Sequence, residues 1–125
     1  MEEQYLTINN LSAYKISFDL SNKAWDIVIK WSFFEKDTVG KQFVRSIDSI
    51  SANIAEGFGR FSKKDKIRFY YYSLGSTLEA LDWSKKSYIR GIISSDDYAH
   101  IRKELDKLPR EINQLIKFTN QKLKY

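Results

Sequence analysis

The chain has no cysteine and only one histidine among its 125 residues. Without cysteine it can form no disulfide, no thiolate metal site and no thiol nucleophile. The single histidine, His100, lies near Asp96, Asp97 and Glu104 in the sequence. One histidine beside carboxylates on an exposed helix is far more often solvated than a metal ligand. The sequence therefore predicts no metal site and no cofactor.

Long apolar runs are also missing from this sequence. No run approaches the ~18–20 apolar residues that a membrane-spanning helix needs. Residues 1–5 are acidic, which is unlike the basic start of a secretory signal peptide. Together with the lack of cysteine, these features predict a cytoplasmic protein that has no membrane partner.

Proline and glycine are scarce, with one proline and five glycines in the whole chain. No strand-like alternation of apolar and polar residues is sustained, whereas helical periodicity recurs in four stretches, at about residues 11–31, 37–58, 63–90 and 95–122. Because the joints are short, consecutive helices should be antiparallel neighbours. The prediction is an all-α protein with a single domain, 1–125, folded as an antiparallel up-down-up-down four-helix bundle.

Local signals mark where these helices begin and end. Residues 62–65 and 94–97 each match the pattern of a capping box at a helix start. Gly57 and Gly59 offer a permissive backbone at the end of the second helix, and Gly91 marks the end of the third. Pro109 falls inside the fourth helix, but the apolar series keeps its phase across it. This series is Tyr98, Ile101, Leu105, Leu108, Ile112, Leu115, Thr119 and Leu123. This predicts a kinked yet continuous helix.

Helix one is apolar on two sides. One stripe is formed by Tyr14, Phe18, Trp25, Val28 and Ile29. The other is formed by Ala13, Ile16, Leu20, Ala24, Ile27 and Trp31. A four-helix bundle has one core, so the second stripe needs a partner outside it.

Helix three repeats this pattern. Its predicted core stripe consists of Ile67, Tyr71, Leu74, Leu78, Leu81 and Tyr88. Tyr72 and Trp83 lie roughly opposite, together with Ser76 and Glu79. The prediction is self-association through helices one and three, with these interface candidates: Ile16, Leu20, Ile27, Trp31, Tyr72 and Trp83. The alternative is a monomer with ordinary exposed aromatic side chains.

The second helix carries a polar face in addition to its apolar one. Arg45, Ser49, Asn53, Glu56 and Arg60 recur every three or four residues, so they lie on one side of one helix. We interpret them as a hydrogen-bonded network in which Arg45 or Arg60 pairs with Glu56 or with Glu79 of helix three. Catalysis with a carboxylate as the base, or a ligand pocket, is the alternative. No nucleophile elbow, phosphate loop or H-E-x-x-H motif supports catalysis.

Basic charge is concentrated in the middle of the chain. The net charge is +5, and residues 41–70 hold seven Lys or Arg against three Asp or Glu. The excess peaks at Arg60, Lys63, Lys64, Lys66 and Arg68. Such a patch, with phenylalanines nearby, could meet the phosphates and bases of RNA or DNA. The spacing matches no zinc finger, RNP signature or G-x-x-G clamp.

A resemblance to a known family rests on an unusual polar run within a core-forming helix. That run is Asn53-Ile54-Ala55-Glu56-Gly57-Phe58-Gly59-Arg60. Residues 62–65, 68–69, 75–76 and 79 add to it. Over about residues 11–120 the chain resembles the small bundle proteins encoded within intervening sequences of bacterial 23S ribosomal RNA genes. The signature is Arg45, Ser49, Asn53, Glu56, Gly57, Arg60, Gly75, Ser76 and Glu79.

The resemblance implies an antiparallel four-helix bundle, and no catalytic activity is established for the family it points to. It also implies ring-like homo-oligomers, commonly pentamers. A similar bundle is the accessory variability protein of diversity-generating retroelements, which associates with a reverse transcriptase and nucleic acid. The chain departs from the family pattern at residues 44–46, where many members have Arg-Arg-Ala, and at residues 70–72, where an aliphatic and alanine run is usual.

The sequence as a whole predicts a non-enzymatic, self-associating scaffold or adaptor. The alternative is an accessory module that binds RNA or DNA, or a nucleic-acid enzyme, through the basic residues from Arg60 to Arg68.

Overall fold

A computed structural model describes residues 7–124 of the chain. Residues 1–6, which include the acidic start, and residue 125 lie outside the described residues. The described part is all-helical, with four long helices: α1 Ser12–Val28, α3 Lys41–Phe58, α4 Lys63–Ile89 and α5 Ser95–Lys122. A 3₁₀ turn, Ile8–Asn10, precedes α1, and a short helix, α2 Phe33–Glu35, continues through the π-helical turn Lys36–Gly40 into α3.

The four long helices form a closed bundle. Helix α3 packs against α1 and α4, α4 packs against α5, and α5 returns to α1. Arg45, near the start of α3, contacts Glu79 in the second half of α4. Gly57, at the end of α3, lies against Tyr70 in the first half of α4. The start of α3 therefore lies beside the second half of α4, and its end lies beside the first half. The two helices are antiparallel, which is compatible with the predicted up-down-up-down arrangement.

Helices α3 and α5 bury the apolar side chains that their periodicity indicates. In α5 the predicted stripe is confirmed from Ile101 to Thr119. The largest fully buried apolar side chains of the bundle are Leu20, Phe43, Ile47, Ile50, Ile54, Tyr70, Ile101, Leu105, Leu108 and Ile112. Burial of this apolar surface is the main term that favours the folded state.

Helix α4 buries mainly small polar side chains, and only half of the predicted core stripe is present. Ile67, Leu74 and Leu81 are half-buried against the core, as predicted. Tyr71, Leu78 and Tyr88 are 55%, 59% and 45% exposed. The buried residues of α4 are instead Tyr70, Ser73, Thr77, Ala80, Ser84 and Ser87. These small side chains allow α4 to pack close to the neighbouring helices. Their hydroxyl groups can be buried because they donate hydrogen bonds to backbone carbonyl oxygens.

Those buried hydroxyl groups are all paired. Ser73 donates to the carbonyl oxygen of Ile50 in α3 at 2.8 Å. Thr77 and Ser87 donate to carbonyls of their own helix, at 2.9 and 2.8 Å. A buried hydroxyl without a partner is costly, so this pairing explains how a serine-rich face can form part of a core.

Helix α1 buries the stripe that was predicted for self-association and exposes the other one. Leu20 and Ile27 are 2% and 8% exposed and belong to the core of a single chain. Their assignment to an interface between copies is therefore wrong. Ile16 and Trp31, from the same stripe, are half-buried and pack against that core. The exposed stripe of α1 is Phe18, Trp25 and Ile29.

The helix ends follow the sequence signals with some shifts. Ser62 and Ser94 cap α4 and α5 by accepting from the backbone N–H groups of Asp65 and Asp97, which is one half of each predicted capping box. The reciprocal bond to the acidic side chain does not occur at these two sites. Gly91 adopts a φ of 71°, and the backbone N–H groups of residues 91 and 92 bond back into α4 as in a Schellman motif. Helix α5 is continuous through Pro109. Helix α1 ends at Val28, earlier than predicted.

The connection between α1 and α3 holds a capping box that the sequence reasoning missed. The side chain of Ser32 accepts a hydrogen bond from the backbone of Glu35, whose side chain accepts from the backbone of Ser32. Helical structure therefore resumes at Phe33 rather than near residue 37.

No helix among residues 7–124 is long and apolar enough to cross a membrane.

Candidate interaction face

Arg45 joins α3 to α4 through a shared carboxylate. Its Nη2 lies 2.6 Å from Oε2 of Glu79, so the predicted pairing of these residues is present. Gln42 accepts from Nε and Nη2 of Arg45, at 3.2 and 3.1 Å. The indole nitrogen of Trp83 donates to the same Glu79 oxygen at 3.1 Å. This network spans the outer side of α3 and α4.

The other polar residues of the signature form hydrogen bonds along α3 and at its C-terminal end. Ser49 donates to the carbonyl of Arg45 at 2.7 Å, and Asn53 donates to that of Ser49 at 2.8 Å. Glu56 accepts from Arg60 one helical turn later, at 2.5 Å. Within one chain, only Arg45 of these residues forms the predicted link between the two helices.

Gly57 has a packing role rather than a conformational one. A Cβ atom at this position would lie 2.8 Å from Cε1 of Tyr70 and 3.0 Å from both the carbonyl oxygen of Lys66 and Cβ of Phe69. Among the described residues, only Gly91 has a positive φ. The permissive backbone expected of Gly57 is therefore not used, and its missing side chain lets the end of α3 contact α4.

Tyr70 fills the space beside Gly57. Its side chain is 1% exposed. Burial raises the pKa of the Tyr70 phenol to about 12, although a hydrogen bond with Thr119 of α5 acts in the opposite direction. One ring thus connects α3, α4 and α5 at this end of the bundle, and the first of the three consecutive tyrosines belongs to the core.

The ring of Phe69 is in contact with two cationic side chains. The guanidinium carbons of Arg60 and Arg68 lie 4.6 and 5.3 Å from the centre of its ring. Tyr72 meets Phe69 edge to face, with ring centres 5.4 Å apart. Cations over aromatic faces and edge-to-face rings are both favourable contacts. They make a cation and aromatic cluster where the outer surfaces of α3 and α4 meet.

The remaining residues of the predicted basic patch largely serve contacts within the chain. Lys63 donates to the carbonyl of Asn120 at 3.3 Å, and Lys66 to that of Phe58 at 2.6 Å. Burial lowers the pKa of the Lys66 ammonium group. Arg68 pairs with Asp65 at 3.4 Å, and Lys64 is exposed.

A groove of about 400 Å³ lies on the α1 side of α3. This α1–α3 groove is lined by Trp25, Val28, Ile29, Lys36, Gly40, Lys41, Val44 and Arg45. Arg45 therefore borders both the groove and the network with Glu79. The sequence reasoning missed this groove because the groove depends on the distance between α1 and α3 and on the π-helical turn Lys36–Gly40, neither of which it predicted.

Two further signature residues lie on α4. Gly75 is exposed, and a Cβ atom there would have no heavy atom within 4 Å. A glycine inside a helix costs roughly 1 kcal/mol relative to alanine, and nothing within one chain requires it. Ser76 is half-buried beside it.

The residues considered for catalysis do not converge. The Glu56 side chain is 51% exposed and is bonded to Arg60 on the open surface. Glu79 is held by Arg45 and Trp83. His100 is exposed on α5. Within residues 7–124, no three His, Cys, Asp or Glu side chains are grouped so that they could hold a metal ion.

These contacts define an outer surface around α3, which we call the α3 face. Its centre is the polar strip of Arg45, Ser49, Asn53 and Glu56, and α1 and α4 flank it. The margin on α1 is the exposed stripe, and the margin on α4 is Phe69, Tyr72, Ser76, Glu79 and Trp83. Apolar and aromatic side chains around a polar strip are typical of a surface that binds another protein.

The crystal structure of a protein of unknown function from the S23 ribosomal protein family, from Bacteroides thetaiotaomicron, is similar to this chain. The TM-score is 0.75 and the identity 21%, and the match covers 84% of this chain and 98% of that one. At this identity the likeness concerns the fold. No curated protein matches the chain.

The sequence itself gives a more specific result. The model of a protein family described as "23S rRNA-intervening sequence protein" matches residues 9–114. That range includes every signature residue of α3 and α4 and most of α5. The chain therefore belongs to the 23S rRNA-intervening sequence protein family.

Proposed function

We propose that this protein is a non-enzymatic scaffold or adaptor that associates with further copies of itself through the α3 face. The observation that carries this proposal is the uncovered apolar surface on both margins of the polar strip. Trp25 and Ile29 on α1 are 54% and 52% exposed, and Tyr72 on α4 is 49% exposed. Neighbouring exposed apolar side chains of this size usually mark an interface.

Gly75 on α4 also favours the proposal that this surface is an interface between copies. Gly75 lowers the stability of an isolated helix, yet no group of the same chain approaches it. A second backbone could come close to α4 at this point without a steric clash. Arg45 and Glu79 then lie between two apolar margins, where exclusion of water would strengthen their attraction.

Self-association is tested by the mass in solution from light scattering, at low and at high salt. A ring of five copies, the state that the family resemblance implied, would have a mass of about 74 kDa, since one chain is 14.8 kDa. Because the margins are apolar, we expect the multimer to persist at high salt. A monomer under both conditions would contradict the proposal.

Matched variants locate the interface. Trp25→Glu combined with Tyr72→Glu should give a monomer with unchanged helix content by circular dichroism. The control is Phe118→Glu, because Phe118 is 46% exposed on α5, outside the α3 face. Equal effects of the control and of the double variant would remove the α3 face from the proposal.

The alternative to a self-associating scaffold is a protein that binds RNA or DNA. Its support is the net positive charge and the exposed side chains of Lys64 and Arg68. Against it, four of the five cations in the patch already contact groups of the same chain. Affinity that falls steeply with salt and is lost in Lys64→Glu with Arg68→Glu would favour this alternative.

A further inference from the structure

The α1–α3 groove combines an apolar lining with cations at its edge. Its volume of about 400 Å³ lies within the ~300–1,000 Å³ of typical small-molecule sites. Val28, Ile29 and Val44 supply aliphatic surface, and Trp25 forms an aromatic wall. Because Trp25 and Ile29 are more than half exposed, a single chain leaves much of this surface in contact with water.

The backbone of the same chain shapes the groove. A Cβ atom on Gly40 would lie 2.8 Å from Cγ1 of Val28 and 3.1 Å from the carbonyl oxygen of Glu35. Gly40 ends the π-helical turn, and π turns inside helices frequently occur at functional sites. The capping box of Ser32 fixes the start of this segment. The missing side chain of Gly40 therefore lets the start of α3 pack closely against the end of α1 at the groove.

The edge of the groove carries more positive than negative charge. Lys41 is paired with Asp37 at 3.2 Å, and Arg45 with Glu79 at 2.6 Å. Lys36 also borders the groove, and no ion pair to Lys36 occurs among residues 7–124. One ammonium group beside an apolar groove complements a ligand with an anionic head and an apolar chain.

We propose that the α1–α3 groove binds a free single-chain amphiphile with an anionic head, of the long-chain carboxylate class. The hydrocarbon chain lies on Trp25, Ile29 and Val44, where it removes apolar surface from water. The carboxylate lies at Lys36. This goes beyond self-association, because one chain supplies every residue that lines the groove.

The test is calorimetric titration of the full chain with dodecanoate below its micelle concentration. We expect saturable binding of one dodecanoate per chain. Dodecylammonium, which has the same hydrocarbon chain and the opposite charge, should bind at least about tenfold more weakly. Equal binding of the two probes, or the absence of saturable binding by dodecanoate, would overturn the proposal.

Three variants place the site. Ile29→Glu should weaken dodecanoate binding about tenfold or more by putting a carboxylate among the apolar residues, and Lys36→Glu should do so by repelling the head. The control is Leu78→Glu, since Leu78 is 59% exposed on α4 and lies outside the groove. Folding of each variant is verified by circular dichroism. Unchanged binding in folded Ile29→Glu would exclude the groove.

Light scattering of the same samples separates this proposal from self-association. Dodecanoate bound by a monomeric protein would support the groove and contradict the proposed assembly. Dodecanoate excluded from a wild-type multimer but bound by a monomeric Tyr72→Glu variant, which leaves the groove lining unchanged, would show that a neighbouring copy fills the groove. That result would overturn the ligand proposal and leave self-association intact.

Discussion

Helices α4 and α5 are nearly equal in length, with 27 and 28 residues, but they bury different kinds of side chain. Helix α5 buries leucines and isoleucines and, apart from Phe118, exposes mainly polar residues, as a helix with one partner surface does. Helix α4 buries serines, a threonine and an alanine, and exposes Tyr71, Tyr72 and Leu78. Since α4 keeps more large apolar groups outside than α5 does, the outer surface of α4 is the stronger candidate for an interface.

The largest expected difference comes from shortening one leucine in each helix. Leu108 of α5 is fully buried, whereas Leu78 of α4 is 59% exposed. Leu108→Ala should lower the free energy of unfolding by about 2–5 kcal/mol because it leaves a cavity. Leu78→Ala should change it by less than about 0.5 kcal/mol. Urea denaturation of both variants measures this, and similar losses would contradict the assignment of Leu78 to the outer surface.

A second pair of variants compares two signature glycines. Gly57→Ala should destabilise the protein by about 1–3 kcal/mol, because the new methyl group meets Tyr70 and the backbone of Lys66. Gly75→Ala should stabilise the chain by up to about 1 kcal/mol, since it has room there and favours the helix. Thermal unfolding measures both effects. A destabilising Gly75→Ala at a dilution that gives monomers would show a close contact within the chain.

The smallest expected effect concerns the ion pair on the outer side of α4. The Arg45 and Glu79 side chains are 58% and 40% exposed, so their attraction is screened by water. A double-mutant cycle with Arg45→Ala and Glu79→Ala should give a coupling energy of about 0.2–1 kcal/mol in monomers. The coupling should decrease at high salt. A coupling well above this range in monomers would mean that the pair stabilises the single chain more than its exposure indicates.

Helix periodicity and composition were sufficient to predict the fold. The stripe of α5, the caps at Ser62 and Ser94 and the end of α4 at Gly91 follow from local physical rules, which act within a few residues. The pairing of Arg45 with Glu79 was also among the predicted alternatives. It could be anticipated because short joints place α3 beside α4.

Other features could not be predicted because they depend on distances between helices. Periodicity places apolar residues inside, but it does not recognise that Ser73 and Thr77 can be buried when carbonyls accept from them. For the same reason the inner and outer stripes of α1 were exchanged, with Leu20 inside and Trp25 outside. The two stripes are similarly apolar, so only packing against α3 and α5 distinguishes them.

The sequence alone determined an all-α chain of four long helices with a polar strip on the second, because helix formation and capping depend on neighbours along the chain. The tertiary structure decided which side of α1 and α4 meets the core, why Gly57 lacks a side chain, and where the α1–α3 groove lies. Each of these depends on atoms that are distant in sequence and come together only when the helices pack.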